Sequence, residues 1–134
     1  MDCIFCKIIN GNLPLRKIYE DEYTLAFLDI AEDVDGHTLV IPKKHVVNIL
    51  DCDNETLGRL MNAVKLISNH YVENCGYDGV NLLNASGEEA QQTVFHFHIH
   101  IIPRKSNDGI NAWPRFGGAR ASLDEMLQKL KMCD

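Results

Sequence analysis

The sequence predicts an α+β fold, in which a five-stranded antiparallel sheet packs against one long central helix and a second helix lies at the C-terminus. Three observations indicate this class. Several short apolar segments, bounded by turn residues, have the pattern of strands. One stretch, from about residue 54 to about residue 74, has the apolar spacing of a helix. The strands and helices do not alternate as in a parallel βαβ sheet, so we predict antiparallel pairing.

The first half of the chain is predicted to hold a short helix and three strands. Residues 4–10 form the predicted helix. The three strands are expected at Lys17–Glu20, Tyr23–Asp29 and His37–Ile41, the last of them ended by Pro42. In the second strand, Leu25 and Phe27 share one face, and Ala26 and Leu28 share the other. Because both faces are apolar, we expect both sides of the sheet to be covered.

The long helix and two more strands are predicted to follow. Asp53 or Asn54 can cap the helix. Its apolar stripe consists of Leu57, Leu60, Met61, Val64, Ile67 and Tyr71. The fourth strand is expected at Gly79–Asn84 and the fifth at Val94–Ile102, which Pro103 ends.

The end of the chain is predicted to be a loop followed by a helix. Residues 104–120 contain several glycines and a proline and are therefore expected to form a mobile loop. Ser122 can cap a last helix. Its apolar residues are Leu123, Met126, Leu127 and Leu130.

The bulk properties indicate one ordinary domain over residues 1–134 and disfavour several kinds of partner. The net charge is -6, whereas a nucleic acid polymer is bound by a basic surface, so we expect no such partner. No stretch is apolar and long enough to span a membrane, and the N-terminus lacks the pattern of a signal peptide. We therefore expect no membrane association and a cytoplasmic location.

The chain has five cysteines, of which Cys3 and Cys6 are separated by two residues. An odd number of cysteines in a reducing compartment argues against a disulfide framework. The Cys3/Cys6 pair is therefore interpreted as metal-binding or redox-active. Its spacing is that of a structural zinc half-site.

Three of the six histidines alternate with apolar residues in the predicted fifth strand. On a strand, His96, His98 and His100 would point to one face. The opposite face would carry Phe95, Phe97, Ile99 and Ile101 and would pack on the long helix.

This row of histidines has three interpretations. A solvated polar face is disfavoured because three histidines share one alternating row. A metal site is limited by distance, since neighbours in the row lie roughly 7 Å apart and the outer pair roughly 13 Å apart. In the third interpretation, one imidazole attacks phosphorus while a neighbour holds the phosphoryl oxygens. Neutral imidazole is available near pH 7 and is a competent nucleophile.

Residues 96–102 resemble the His-φ-His-φ-His-φ-φ signature of the histidine-triad (HIT) family, in which φ is apolar. Three further segments resemble the family's conserved blocks: Ala26–Ile30, Gly36–His45, and Asn84 with Gln92–Val94. The resemblance covers about residues 3–104, which form the expected core, with the loop and helix at 105–134 outside it. It is closest to the bacterial-type Hint-like branch, which has an N-terminal Cys-x-x-Cys. It implies a homodimer in which two five-stranded sheets join into a ten-stranded sheet.

The resemblance also implies roles for individual residues. The catalytic residues would be His98 as nucleophile, His100 in contact with the phosphate, His37 in a supporting network, and Thr93 as a hydrogen-bond donor to the phosphate or leaving group. The nucleotide-binding residues would be Asp29 at the ribose hydroxyls, Ile30 at the base, Asn84 near the phosphate, Gln92, Thr93, His98 and His100. By themselves, Asp29 and Asn84 are equally interpreted as turn residues, and Thr93 as an ordinary strand threonine.

The chain departs from the family at one position before Thr93. The family commonly has Ala-Gly-Gln there, whereas this chain has Ala90-Gln91-Gln92. Glycine would allow backbone N–H groups to approach a phosphate closely.

In Hint-like proteins with this N-terminus, the resemblance implies one structural zinc ion per chain, completed by two histidines. The matching ligands are Cys3, Cys6, His45 and His96. A closed set of four ligands would be structural and not catalytic. His70 on the long helix is expected to have no role in either site.

The function implied is that of a hydrolase that cleaves at the α-phosphate of nucleoside 5′-phosphoramidates or related purine nucleotide conjugates, through a covalent His98-nucleotidyl intermediate. One alternative is dinucleoside polyphosphate hydrolysis or nucleotidyl transfer within the same family. Another is a zinc-stabilised nucleotide-binding or partner-binding module. The choice of leaving group is expected to involve loop 104–120, with Trp113, Arg115 and Arg120.

Overall fold

A computed structural model of the chain describes residues 2–133. It contains a helix α1 at Ile4–Ile9 and strands β1 to β3 at Lys17–Glu20, Thr24–Leu28 and Thr38–Pro42. The long helix α2 at Asn54–Asn74, strands β4 at Gly79–Leu83 and β5 at Ile99–Arg104, and helix α3 at Leu123–Leu130 follow. A 3₁₀ turn at Glu88–Ala90, which was not predicted, lies between β4 and β5.

The five strands form one antiparallel sheet in the order β1-β2-β3-β5-β4. This confirms the predicted α+β class with one long helix and a C-terminal helix. Strand β5 lies between β3 and β4, so that Leu39 and Leu83 both pair with His100. The start of β5 is therefore held on both sides, which fixes the backbone that carries the third histidine of the row.

Both faces of the sheet are covered, as the apolar pattern of β2 predicts. Ala26 belongs to a cluster on the α2 side, where it joins Val40, Leu60 and Phe97. Leu25 and Phe27 lie in a second cluster, with Phe5 of α1 and Cys3. The N-terminal segment thus covers the face opposite α2, and its two cysteines are brought to that side of the sheet.

The long helix begins as predicted, because the Asp53 side chain caps it by accepting a hydrogen bond from the Thr56 N–H at 3.0 Å. Its buried residues are Leu60, Ala63, Val64, Ile67 and Tyr71. The predicted stripe was wrong for Met61, which is exposed, and missed Ala63. Position 63 lies one turn before Ile67 on the helix, so the small side chain faces the sheet while Met61 points outward.

The prediction for the fifth strand was wrong at both ends. The strand starts at Ile99, not Val94, and it continues through Pro103 to Arg104. Pro103 is accommodated because β3 pairs with β5 only as far as Ile101, so β4 is its paired neighbour in the sheet. Phe95 is half exposed and does not pack on α2. The alternation of faces holds from His96 onward, since Phe97, Ile99 and Ile101 belong to the α2-side cluster.

The C-terminal helix has the predicted Ser122 cap, whose side chain accepts a hydrogen bond from the Glu125 N–H at 3.1 Å. Its leucines are exposed, and Leu123 is 90% accessible, whereas Met126 is half-buried. Residues 105–122 form no helix or strand. Within residues 2–133, no helix is long and apolar enough to cross a membrane.

Candidate active site

The middle histidine of the row, His98, immediately precedes β5 and is partly buried. Its Nδ1 lies 2.8 Å from the backbone carbonyl oxygen of His96. A carbonyl only accepts, so Nδ1 carries the proton and the lone pair of the neutral ring is on Nε2. Asn84 holds the same segment, because its side-chain amide donates to the His98 carbonyl oxygen at 2.8 Å. His98 is therefore fixed in the tautomer that a nucleophilic Nε2 requires.

A chain of hydrogen bonds connects the third histidine of the row to the loop between β2 and β3. His100 Nδ1 lies 2.8 Å from His37 Nε2, and His37 Nδ1 lies 2.8 Å from Asp33 Oδ1. The carboxylate accepts from His37 Nδ1, so His37 Nε2 is free to accept from His100 Nδ1. From the sequence, no role was assigned to Asp33. Its position four residues before His37 was the available signal, and the folded loop turns that spacing into a contact.

Asp29 immediately follows β2 and lies beside this chain of hydrogen bonds. Its Oδ1 accepts from the Ala31 N–H at 2.9 Å, while its Oδ2 lies 3.7 Å from His37 Nε2. Both readings of Asp29 are therefore compatible with the fold: one oxygen forms the turn and the other faces the histidines. A cleft of about 480 Å³ is lined by Asp29, the exposed Ile30, Arg16 and His37 among others.

The imidazoles of the row are kept neutral by their surroundings. Burial lowers the pKa of His98 below its ordinary value and lowers the pKa of His100 to about 4. The His98 and His100 ring centroids lie 4.8 Å apart, and Phe5 packs edge-on against His98 at 5.2 Å. Phe5, which sequence reasoning placed only in the first helix, helps to exclude water from the His98 ring.

The loop before the histidine row is built around Gln92. This buried side chain accepts from Gly87 N–H and the Asn48 amide, and it donates to the carbonyl oxygens of Val47 and Val94. Its hydrogen-bonding capacity is thereby used within the protein. We therefore expect Gln92 to shape the loop and not to bind a ligand through its side chain. Thr93, the next residue, is exposed.

Gln91 adopts a left-handed conformation, with φ 73° and ψ 26°. Glycine adopts this region without strain, whereas a residue with a side chain pays about 1–2 kcal/mol. A glycine would therefore fit this position without strain, whereas this chain holds Gln91 in the left-handed region at an energetic cost.

The two cysteines and two histidines predicted as zinc ligands lie together. His45 Nδ1 is 3.3 Å from Cys6 Sγ and 3.1 Å from His96 Nδ1, and Cys3 Sγ is 3.4 Å from His96 Nδ1. All four donor atoms lie within 4.8 Å of one another. In a tetrahedral zinc site with ordinary bond lengths, such atoms are about 3.3–3.8 Å apart. The residues therefore suit a zinc ion.

The environment of His96 supports the same conclusion. Its Nε2 donates to the Pro42 carbonyl oxygen at 2.8 Å, so the lone pair of the neutral ring is on Nδ1, which faces the cysteines. A metal-binding histidine commonly gives its second N–H to such an acceptor. Burial lowers the pKa of His96, which favours the neutral ring that a metal requires.

Comparisons with known proteins agree with this geometry. Adenylylsulfatase HINT3 of Arabidopsis thaliana is 40% identical over 98% of this chain and 67% of its own length. Adenosine 5′-monophosphoramidase hnt1 of Schizosaccharomyces pombe is 38% identical over 87% of this chain and 86% of its own. The crystal structure of a Zn-bound histidine triad family protein from Mycobacterium smegmatis matches this fold with a TM-score of 0.78. The match covers 84% of this chain and 81% of that one, with 40% sequence identity.

Residues 10–107, which include the histidine row and the five-stranded sheet, match the HIT domain. The chain is therefore a member of the HIT family, and it is similar to the Hint-like proteins within that family.

Proposed function

We propose that this protein is a nucleotide hydrolase that cleaves the bond between the α-phosphate and the leaving group of nucleoside 5′-phosphoramidates or related purine nucleotide conjugates. The observation that carries the proposal is the fixed tautomer of His98, whose Nδ1–H is held by the His96 carbonyl. The lone pair on Nε2 is thereby directed away from the backbone contact and is available to attack phosphorus.

The reaction has two steps on the same histidine. His98 Nε2 forms a bond to phosphorus while the bond to the leaving amine breaks, and the amine leaves with that electron pair and one proton. Water then attacks phosphorus, the bond to His98 breaks, and the nucleoside 5′-monophosphate is released. The His37/His100 pair, backed by Asp33, is suited to supply the proton of the leaving amine and to regain one from the attacking water, because His37 is hydrogen-bonded to both Asp33 and His100.

The cleft beside the histidines supports the placement of the nucleotide. We assign the Asp29 carboxylate to the ribose hydroxyls and Ile30 to the base, since both line the cleft next to His37. Thr93 and Asn84 are assigned to the phosphate side. The Asn84 side chain also donates to the backbone carbonyl oxygen of His98, so part of the contribution of Asn84 is to orient His98. Gln92 is assigned to loop geometry through its four hydrogen bonds.

The names of two relatives support chemistry at an adenosine 5′-phosphate. One is called an adenosine 5′-monophosphoramidase and the other an adenylylsulfatase. The two names share the nucleotide and differ in the group attached to it. We infer that the leaving-group side determines the substrate, and that loop 104–120, with the exposed Trp113, borders it.

We further propose one structural zinc ion held by Cys3, Cys6, His45 and His96. Zinc at this site would cross-link the N-terminus, the end of β3 and the segment before β5, which are distant in sequence. The donor distances and the hydrogen bond from His96 to Pro42 support the assignment.

A homodimer is proposed as the working assembly. Strand β4 is an edge strand whose Leu82 and Leu83 are exposed, and α2 exposes Leu66 and Val72. An open apolar edge is a surface that soluble proteins commonly cover. Sedimentation equilibrium should give twice the chain mass, and a monomer at all concentrations would contradict the proposal.

The decisive experiment is a turnover assay with adenosine 5′-phosphoramidate. Release of ammonia and 5′-AMP at many turnovers per chain is expected. A protein that binds 5′-AMP but never turns over the phosphoramidate would instead be a nucleotide-binding module. Quenching in alkali, in which a histidine–phosphorus bond survives, after reaction with a substrate labelled at the α-phosphorus, followed by peptide mapping to His98, tests the covalent intermediate directly.

A further inference from the structure

A second group of metal-binding side chains lies beside the nucleotide cleft, away from the cysteines. Asp29 Oδ2 is 3.7 Å from His37 Nε2, and His37 Nε2 is 2.8 Å from His100 Nδ1. One donor atom from each of the three residues falls within 4.8 Å of the others. Two imidazoles and one carboxylate form a common set of ligands for zinc and related transition metals.

The distances are close to those that a metal ion needs. Ligand atoms about 2.0–2.2 Å from a tetrahedral ion are about 3.3 Å from one another. The two separations that involve His37, 2.8 and 3.7 Å, lie within about half an ångström of this value, and all three donor atoms lie within 4.8 Å of one another. To bind a metal ion through Nδ1, His100 must lose from that nitrogen the proton that it shares with His37. That ring remains neutral if the proton is carried on its Nε2 instead.

The outer contacts of these residues are those of a metal site. Nδ1 of His37, the ring nitrogen that would face away from the metal, donates its N–H to the Asp33 carboxylate at 2.8 Å. This arrangement orients metal-bound histidines. Asp29 is also fixed, because its Oδ1 accepts from the Ala31 N–H and its Oδ2 is left facing His37. His37 is buried, so two of the three ligands are held in place before any ion arrives.

The local charge also favours a cation. Residues 29–35 contain four carboxylates, at Asp29, Glu32, Asp33 and Asp35, and no basic residue. Arg16 is the basic residue among those that line the adjoining cleft. An acidic loop next to a two-histidine, one-carboxylate set raises the local concentration of divalent cations.

We propose that Asp29, His37 and His100 form a reversible site for a divalent transition metal such as zinc, separate from the cysteine site, and that the metal and the nucleotide exclude each other. The exclusion rests on the proposed function, which assigns Asp29 to the ribose and His100 to the phosphate. An ion bound by both side chains removes the ribose acceptor and one phosphate contact, so free zinc would act as a competitive inhibitor.

The site itself is tested with cobalt(II), which reports its ligands by absorption. Protein first loaded with one equivalent of zinc is titrated with cobalt, with heat and visible absorption recorded together. We expect one further equivalent to bind, with visible cobalt bands but no thiolate charge-transfer band. Asp29→Asn and His37→Gln should abolish this binding, and Asp33→Asn should weaken it tenfold to a hundredfold.

Asp35→Asn is the matched control, because it removes the same charge from the same loop but does not touch His37. It should change cobalt affinity far less than Asp33→Asn does. Binding that shows the thiolate band alone, or that survives Asp29→Asn and His37→Gln, would overturn the proposed site. Circular dichroism of each variant identifies any that fail to fold. If the ligand variants fail to fold, the cobalt affinities of Asp33→Asn and Asp35→Asn decide whether the site exists, and equal affinities would contradict it.

Competition with 5′-AMP tests the exclusion and separates it from the proposed function. Cobalt at ten times its Kd should raise the apparent Kd of 5′-AMP about tenfold. If 5′-AMP binds equally well with and without cobalt, the exclusion is wrong. If 5′-AMP does not bind even without cobalt, the nucleotide function fails, while the cobalt titration still decides the metal site.

Discussion

The Nδ1 of His98 and the backbone carbonyl oxygen of His96 are joined by a 2.8 Å hydrogen bond. The side chain of His96 faces Cys3 and Cys6, whereas its carbonyl fixes the tautomer of the next histidine in the row. One residue thus belongs to both the proposed zinc site and the proposed catalytic site. A disturbance of the zinc ligands is therefore expected to reach the nucleophile through a single peptide unit.

The first prediction concerns the nucleophile. His98→Ala should lower kcat on adenosine 5′-phosphoramidate by at least about a thousandfold, because the covalent step is lost. Binding of 5′-AMP, measured by calorimetry, should remain within about tenfold, which corresponds to about 1.4 kcal/mol. His70→Ala, at an exposed position on α2, is the control and should retain wild-type turnover. A His98→Ala protein with more than a tenth of the wild-type kcat would rule out the mechanism.

The second prediction separates the two roles of Asp29. Asp29→Asn keeps an oxygen for the Ala31 N–H but loses the charge that accepts from ribose hydroxyls. We expect the variant to fold normally and to bind 5′-AMP more weakly by about 1–3 kcal/mol. It should therefore discriminate less between 5′-AMP and 2′-deoxy-5′-AMP. Calorimetry with both nucleotides provides the measurement. Unchanged discrimination would place the ribose elsewhere.

The third prediction concerns zinc. Metal analysis of the purified protein should give one zinc ion per chain, and Cys3→Ala/Cys6→Ala should lose it. The double variant should melt at a lower temperature and turn over more slowly, since His96 links the metal to His98. Cys75→Ala/Cys133→Ala removes two exposed cysteines and is the matched control. A wild-type protein without zinc would refute the assignment.

The fourth prediction concerns strain at Gln91. Gln91→Gly should raise the free energy of unfolding by up to about 1 kcal/mol, because relief of the positive φ outweighs the added chain entropy of glycine. Gln91→Ala should not, since alanine retains the strain. Glu89→Gly, in the neighbouring 3₁₀ turn, should instead lower stability by about 0.5–1 kcal/mol. Urea unfolding measures the free energy of unfolding of the three variants. Equal losses of stability in Gln91→Gly and Glu89→Gly would show that Gln91 is not strained.

The sequence by itself determined the class of fold, the positions of most elements and the identity of the histidine row. The continuous apolar run at 24–28 and the helical spacing at 57–71 are local signals, which depend on few residues and survive without tertiary information. The Cys-x-x-Cys spacing and the His-φ-His-φ-His pattern are likewise local, so they could be recognised directly.

Only the tertiary structure decided which side chains meet. The contact from Asp33 to His37, and the one from His37 to His100 across 63 positions, depend on the β2–β3 loop folding over the start of β5. The end of β5 at Arg104 depends on its pairing with β4, which reaches Arg104 through Gly79, and not on Pro103 itself. Gln91 occupies a left-handed conformation that no local propensity favours, because the four hydrogen bonds of Gln92 close the loop around it.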